Sequence, residues 1–282
     1  MSADKKSRLF LLCLGSVVAV FGLSAVFQIV MILSLNWCCE AYGKINPGDA
    51  ADKKGAADDI ARVIRVFSPA LIVEQWARAP FLFFDGSLDT AKLEYAADDY
   101  LISYIQSLAS EKENKESSLA WEEDADALVP ELRFSACMRL MSDRAAFYQY
   151  VLHLPYLAET YQRCVVWQCR RALDELRRDV DLQKSADLGP AVEAEANLLL
   201  AEQINNLGDL YVAHGKYQIA ERAYADAVAS VESACRLDPI DYNYEVLESR
   251  YLIWSKYLAR INKEEEARQV LERMLTTFSW AG

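Results

Sequence analysis

The first long feature of the chain is an unbroken apolar run. From Leu9 to Leu35 there is no charged residue. Wound at about 1.5 Å per residue, that stretch makes a helix of roughly 40 Å, enough to cross a hydrocarbon core of about 30 Å with some tilt. The run exceeds the apolar core of a secretion signal, and its exit, Leu-Ser-Leu-Asn-Trp-Cys-Cys, carries no small-residue cleavage pattern. Bulky Trp37 ahead of Cys38 argues against lipoprotein processing. The pattern therefore predicts an uncleaved transmembrane helix over 9–37, behind a short basic tail at 1–8. Lys5, Lys6 and Arg8 abut the helix start, whereas Lys44 is the first base beyond it. That bias places the N-terminus in the cytoplasm and the remainder of this single-pass chain on the opposite side, in a periplasm, lumen or intermembrane space. Gly15, Ala19, Gly22 and Ala25 fall near one helix face, and Gln28 is a strongly polar side chain at depth. Both features suit association with a neighbouring transmembrane helix.

Past the apolar run the pattern becomes that of amphipathic helices. Residues 38–57, with Asn46-Pro47-Gly48-Asp49 and Lys53-Lys54-Gly55, read as a polar linker. Asp58 is a candidate N-cap opening a helical region over 58–189. Pro69 and Pro80 divide its first part, where Trp76 and Phe81 to Phe84 offer apolar surface to a core, a partner or a bilayer. A helix is expected from Asp89 to Ser110, then an acidic segment, then helices over 130–142 and 143–184. Pro155 is expected to kink or split the last of these, and Gly189-Pro190 to separate it from the next helix.

The final third, 190–282, carries a spacing that repeats. Asn206-Leu207-Gly208-Asp209-Leu210-Tyr211 is followed by Gly215-Lys216-Tyr217, then Ala220, Tyr224 and Ala227. A small residue on each of two helices, Gly208 and Ala220, lets them touch, while aromatic side chains fill the space above and Gly215 makes the turn. This arrangement resembles a tetratricopeptide repeat, with Ile204 where tryptophan is usual. Leu237-Asp238-Pro239 closes the unit about seven residues late, so its second helix is lengthened. A second unit runs through Tyr251, Trp254, Leu258, Asn262, Ala267, Leu271 and Met274, with Ser255 where the glycine stood. Together with the apolar run, the resemblance implies an all-α chain: one transmembrane helix and a solenoid of helical hairpins, two of them repeat-like. It also implies a partner-binding groove lined by Asn205 and Asp209, then Leu252, Lys256 and Arg260. The basic clamp that some members use for terminal carboxylates is not reproduced. Because such hairpins need about three layers for stability, the 58–189 region is expected to supply degenerate ones.

Composition narrows the function. A net charge of −12 argues against a nucleic-acid partner. Its acidity peaks at Glu122, Glu123, Asp124 and Asp126, a solvated segment or a dock for a basic partner. Seven cysteines include no C-x-x-C pair, so neither a zinc nor a redox motif is present. No phosphate loop, nucleophile elbow, dinucleotide fingerprint or metal-binding helix appears, and His153 and His214 sit in structural contexts. No catalytic residue, cofactor or metal is expected. The expected partners are other proteins, bound through the groove, together with the bilayer. Two functional readings stay open: a membrane-anchored scaffold that recruits partners, and a permanent subunit of a large membrane assembly. An enzyme of unfamiliar type is the third and weakest.

Overall fold

The computed structural model describes residues 3–45, 52–66, 97–107, 130–178 and 188–279, and every regular element among them is an α-helix. They are α1 (Ala3–Lys44), α2 (52–66), α3 (97–107), α4 (Pro130–Tyr150), α5 (Pro155–Arg178), α6 (Leu188–Ala213), α7 (Tyr217–Leu237), α8 (Asp241–Arg260) and α9 (Glu264–Ser279). The chain divides into two compact units, 1–140 and 141–282, the division falling within α4.

In the first unit, α1 outruns the expected span at both ends. It contains an 18-residue window, Ala25–Tyr42, that is apolar and long enough to cross a membrane. Its last turns carry two different faces. Met31, Leu35, Cys38 and Cys39 are buried, at the i, i+4, i+7, i+8 spacing of a helix packed against neighbours, while Leu33 and Trp37 stay exposed. The expected linker over 38–57 is therefore corrected: 38–44 continue α1 and 52–57 already belong to α2. The polar Asn-Pro-Gly-Asp signal outweighed a helical register that Cys38 and Cys39 sustain by burying their thiols. Helix α2 buries Ala57, Ile60, Ala61 and Ile64, and α3 buries Ala97, Leu101, Tyr104 and Ile105. Tyr100 meets Phe134 edge to face, with centroids 6.2 Å apart. Gly15 and Gly22 have nothing within 4 Å of a built Cβ, and both are exposed with Ala19. The Gln28 side chain, residues 67–96 with Trp76 and Phe81 to Phe84, and the acidic segment up to 129 lie outside the described residues.

The second unit consists of three helical hairpins: α4 with α5, α6 with α7, and α8 with α9. The expected boundary at 142/143 is corrected, because α4 runs through to Tyr150, while Pro155 splits the expected 143–184 helix, as one of the two expected outcomes, by opening α5. Proline without an N–H is tolerated in a first turn, where that donor has no intrahelical partner. Each hairpin turns through a left-handed residue: His153 at φ 55°, Gly215 at φ 70° and Asn262 at φ 62°. The last two turns are the same motif. Lys216 N donates to Tyr211 O at 2.8 Å and Gly215 N to Val212 O at 3.0 Å. Lys263 N donates to Leu258 O at 2.9 Å and Asn262 N to Ala259 O at 3.1 Å. This is the glycine-type helix stop, and asparagine is the residue that best replaces glycine in it. The first turn is one residue longer, with Leu154 N reaching Tyr148 O at 2.8 Å.

The hairpins also share their packing. Gly208 lies where a Cβ would meet Tyr224 Cε1 at 3.0 Å, and Ala220 is fully buried across from it. Ser255 and Ala267 are buried at the matching positions of the third hairpin, Ala145 and Ala158 at those of the first. Between hairpins, α5 packs on α6 and α7 on α8. The same ion pair recurs at both junctions. Lys216 reaches Glu159 at 2.5 Å, and Lys263 reaches Glu221 at 2.9 Å. Each glutamate directly follows a buried alanine, Ala158 or Ala220, on the preceding hairpin's second helix. A sealed polar chain joins the first two hairpins: Ser142 Oγ donates to Gln162 Oε1 at 2.9 Å, and Gln162 Nε2 donates to Gln203 O at 2.9 Å.

Candidate functional site

The first helices of the second and third hairpins, α6 and α8, both pack on α7, and polar side chains of the two lie within electrostatic reach of each other, a polar seam. On α6, Asn205 is 6% exposed, and its Nδ2 reaches Asp209 Oδ2 at 3.5 Å. Asp209 Oδ1 accepts a hydrogen bond from Tyr224 Oη at 2.6 Å. Burial pushes the Asp209 carboxyl upward, against the pull of that hydroxyl and of the Arg250 charge. On α8, burial lowers the Arg250 guanidinium, while Glu202, Asp209 and Tyr242 oppose the shift. These mutual effects put Glu202, Asp209 and Arg250 in one electrostatic neighbourhood. Trp254 stands one turn beyond Arg250.

Three buried polar atoms on these two helices have no hydrogen-bond partner among the described residues: Asn205 Oδ1, Arg250 Nε and Trp254 Nε1. One is an acceptor and two are donors. A buried orphan of this kind costs about 1–3 kcal/mol, so the three atoms are the seam's candidates for bonding to groups that the described residues do not supply. An amide group offers both a donor and an acceptor.

The residues expected to line a groove are not all placed alike. Asn205 is buried in the seam rather than lining an open wall, and Asp209 is held by Tyr224. Leu252 is half-buried, whereas Lys256 and Arg260 are exposed. Neither base has an ion-pair partner among the described residues. The packing residues Leu207, Gly208, Tyr211, Ala220, Tyr224, Ala227 and Ala267 are all buried, and Trp254 is half-buried. Arg250 had no signal in the sequence, because only the seam gives it significance. Trp254 appeared as packing alone, and its indole N–H adds a polar role.

A second polar node lies at the turn edge. His214 Nε2 is 2.7 Å from Gln149 Oε1, and its Nδ1 is 3.3 Å from Glu159 Oε2. Burial pushes the Glu159 carboxyl upward, but hydrogen bonds from His214 and Lys216, with the Lys216 and Arg163 charges, bring it below its ordinary value. A carboxylate whose folded pKa is depressed adds stability above its unfolded pKa, and that stability is lost as pH falls through the folded value. Glu159→Gln is expected to cost about 1.5–3 kcal/mol at neutral pH. The difference from wild type should shrink on acidification, as thermal melts at several pH values would show. A pH-independent difference would contradict the ion-pair assignment.

Among the described residues no three His, Cys, Asp or Glu side chains converge as metal ligands would. The described cysteines are buried, and burial raises the thiols of Cys169 and Cys235, the latter to about 11. Such thiols are poor nucleophiles near neutrality. No family model, no curated protein and no solved structure matches the chain.

Proposed function

We propose that this chain is a single-pass membrane protein whose tetratricopeptide-like hairpins recruit another protein, with the α6–α8 seam as the contact. The three orphaned buried polar atoms carry this reading: a partner's backbone or side-chain amides complete them, and exposed Lys256 and Arg260 flank the site. Its resting place is the side of the membrane away from the N-terminus, in keeping with the basic residues that precede the apolar run. Retention of α1 is supported by the burial of Met31, Leu35, Cys38 and Cys39. Cleavage beyond Cys39 would strip those side chains from the first unit and expose the surfaces they cover. No catalysis is assigned, because no described group combines a nucleophile with a base in a water-excluding site.

Purification of the full chain in mild detergent is expected to bring down a partner in fixed stoichiometry. Arg250→Ala or Asn205→Ala should weaken that association roughly tenfold or more while the chain stays folded. Unchanged recovery with both variants would exclude the seam as the contact.

A permanent structural subunit is the second reading, favoured by one observation. Tyr150, Val151, Leu152, Tyr156, Tyr217 and Ile219 all stay substantially exposed around the first two turns. The His214–Gln149 contact shows those turns to be neighbours. An apolar edge of this kind suits a constant neighbour better than an exchanging one.

A further inference from the structure

Within the proposed contact, Asp209 is a carboxylate with one oxygen firmly held and the other open. Tyr224 Oη donates to Oδ1 at 2.6 Å. Oδ2 has only the Asn205 amide nitrogen, at 3.5 Å, beyond the usual range of about 2.7–3.2 Å for such a bond. The residue is exposed, so a group from outside can approach it. Asn205, one turn earlier on α6 and 6% exposed, keeps its Oδ1 without a donor. Two acceptors a turn apart on one helix face are thus short of donors.

The nearest buried cation lies at another level. Tyr257 Oη, near the end of α8, donates to Tyr217 O at the start of α7 at 2.6 Å, and its ring packs on Tyr224 with centroids 4.8 Å apart. Those contacts set the last turns of α8 beside Asp209. Arg250, Trp254 and Tyr257 share a face of α8 at i, i+4, i+7 spacing, so Arg250 lies about 10 Å back along the helix. Glu202 lies equally far back from Asp209 on α6, and after burial it is the strongest influence on Arg250. Two carboxylates share one half-buried guanidinium, and Asp209 is the one left over. Lys256 and Arg260, exposed on α8, form no ion pair with it among the described residues.

The free oxygen also selects the kind of cation. A guanidinium binds a carboxylate best through both oxygens, and Oδ1 is already taken by Tyr224. An ammonium group is a compact charge with three donors, suited to one open oxygen with a second acceptor beside it. Burial raises the Asp209 carboxyl, so a cation brought there meets a charge that the fold leaves poorly compensated.

We propose that Asp209, with Asn205 beside it, takes an ammonium group of the partner protein, from a lysine side chain or the N-terminus. This names the chemistry of the contact already proposed and rests on it.

The test uses the full chain in its native membranes and a water-soluble carbodiimide. The reagent activates a carboxyl group as an O-acylisourea, and an amine in contact displaces the urea to leave an amide. Mass spectra should show that amide between Asp209 and an amine of another protein, and the linked peptide tells a lysine from an N-terminus. Independently, a photo-crosslinking amino acid at Lys256 reports whether a protein sits at the seam. Asp209→Asn removes the charge but keeps an acceptor for Tyr224, and thermal melts check that its fold is retained. It should lower the adduct from 256 roughly fivefold, and Asp209→Glu should restore much of it. An adduct from 256 without the amide, or one undiminished in Asp209→Asn, would overturn the ammonium site and leave the contact standing. No adduct from 256 would remove the contact, and the site with it.

Discussion

Gly208→Val is expected to destabilise the hairpin unit by about 3 kcal/mol, through overpacking against the Tyr224 ring. A Cβ at this position already lies 3.0 Å from Cε1 and 3.2 Å from Cδ1 and Cζ. Accommodation requires the ring to move, and two contacts oppose that. Its hydroxyl is bonded to Asp209 at 2.6 Å, and the Tyr257 ring lies 4.8 Å away, centroid to centroid. Valine adds two γ-carbons and loses χ1 freedom in a helix. Alanine at the same place should be milder, because overlap is offset by about 1 kcal/mol of helix propensity. Thermal melts of the full chain measure both. Pairing Gly208→Ala with Tyr224→Leu should recover part of the loss, since the smaller side chain yields space. If the two changes instead add without coupling, the helix contact at Gly208 is not the tight one described.

The second large effect is expected at Gln162. This side chain is 1% exposed, accepts from Ser142 and donates to the Gln203 carbonyl. Its Nε2 also lies 3.3 Å from Gln203 Oε1. Gln162→Glu converts a donor into an oxygen that faces two acceptors, inside a sealed junction between hairpins. A buried carboxylate left without compensation costs about 3–5 kcal/mol. The introduced acid would have a folded pKa raised by burial. Its penalty is accordingly absent below the unfolded carboxyl pKa, grows as pH rises through that value, and levels off above the folded one. The difference between Gln162→Glu and wild type should therefore narrow on acidification. Gln162→Leu, which carries no charge, should cost about 1–3 kcal/mol at every pH. A Gln162→Glu protein as stable as wild type at neutral pH would mean that the Ser142–Gln162–Gln203 chain is open to solvent.

The helical character of the chain was plain from its residues, and so was the hairpin of Gly208, Ala220 and Tyr224, because that contact depends on residue sizes at fixed local spacing. The last hairpin was readable for the same reason, Asn262 standing where Gly215 stood. The first hairpin was expected only as a degenerate layer within 58–189, not as a matching unit. His153 replaces glycine at its left-handed position and the turn is one residue longer, so the spacing that betrays the others is shifted. Ala145, Tyr148 and Ala158 carried the signal, visible only once Pro155 is taken as a helix start. The seam was half legible. Asn205 and Asp209 follow from helix position alone, but Arg250 matters because it is half-buried within electrostatic reach of Glu202 and Asp209, a fact of tertiary structure. The supposed linker failed for a local reason: Asn46 to Asp49 signal a turn, but they say nothing of how far the helices on either side extend.

Partner contact along the α6–α8 seam is the central claim, and crosslinking tests it most directly. A photo-crosslinking amino acid placed at exposed Lys256, beside the seam, and another at exposed Ile219, on the turn edge, should be irradiated in the full chain within its native membranes. The expected result is one protein adduct from 256 that disappears in Arg250→Ala. An adduct from 219 alone, or one from 256 that survives Arg250→Ala and Asn205→Ala together, would contradict it.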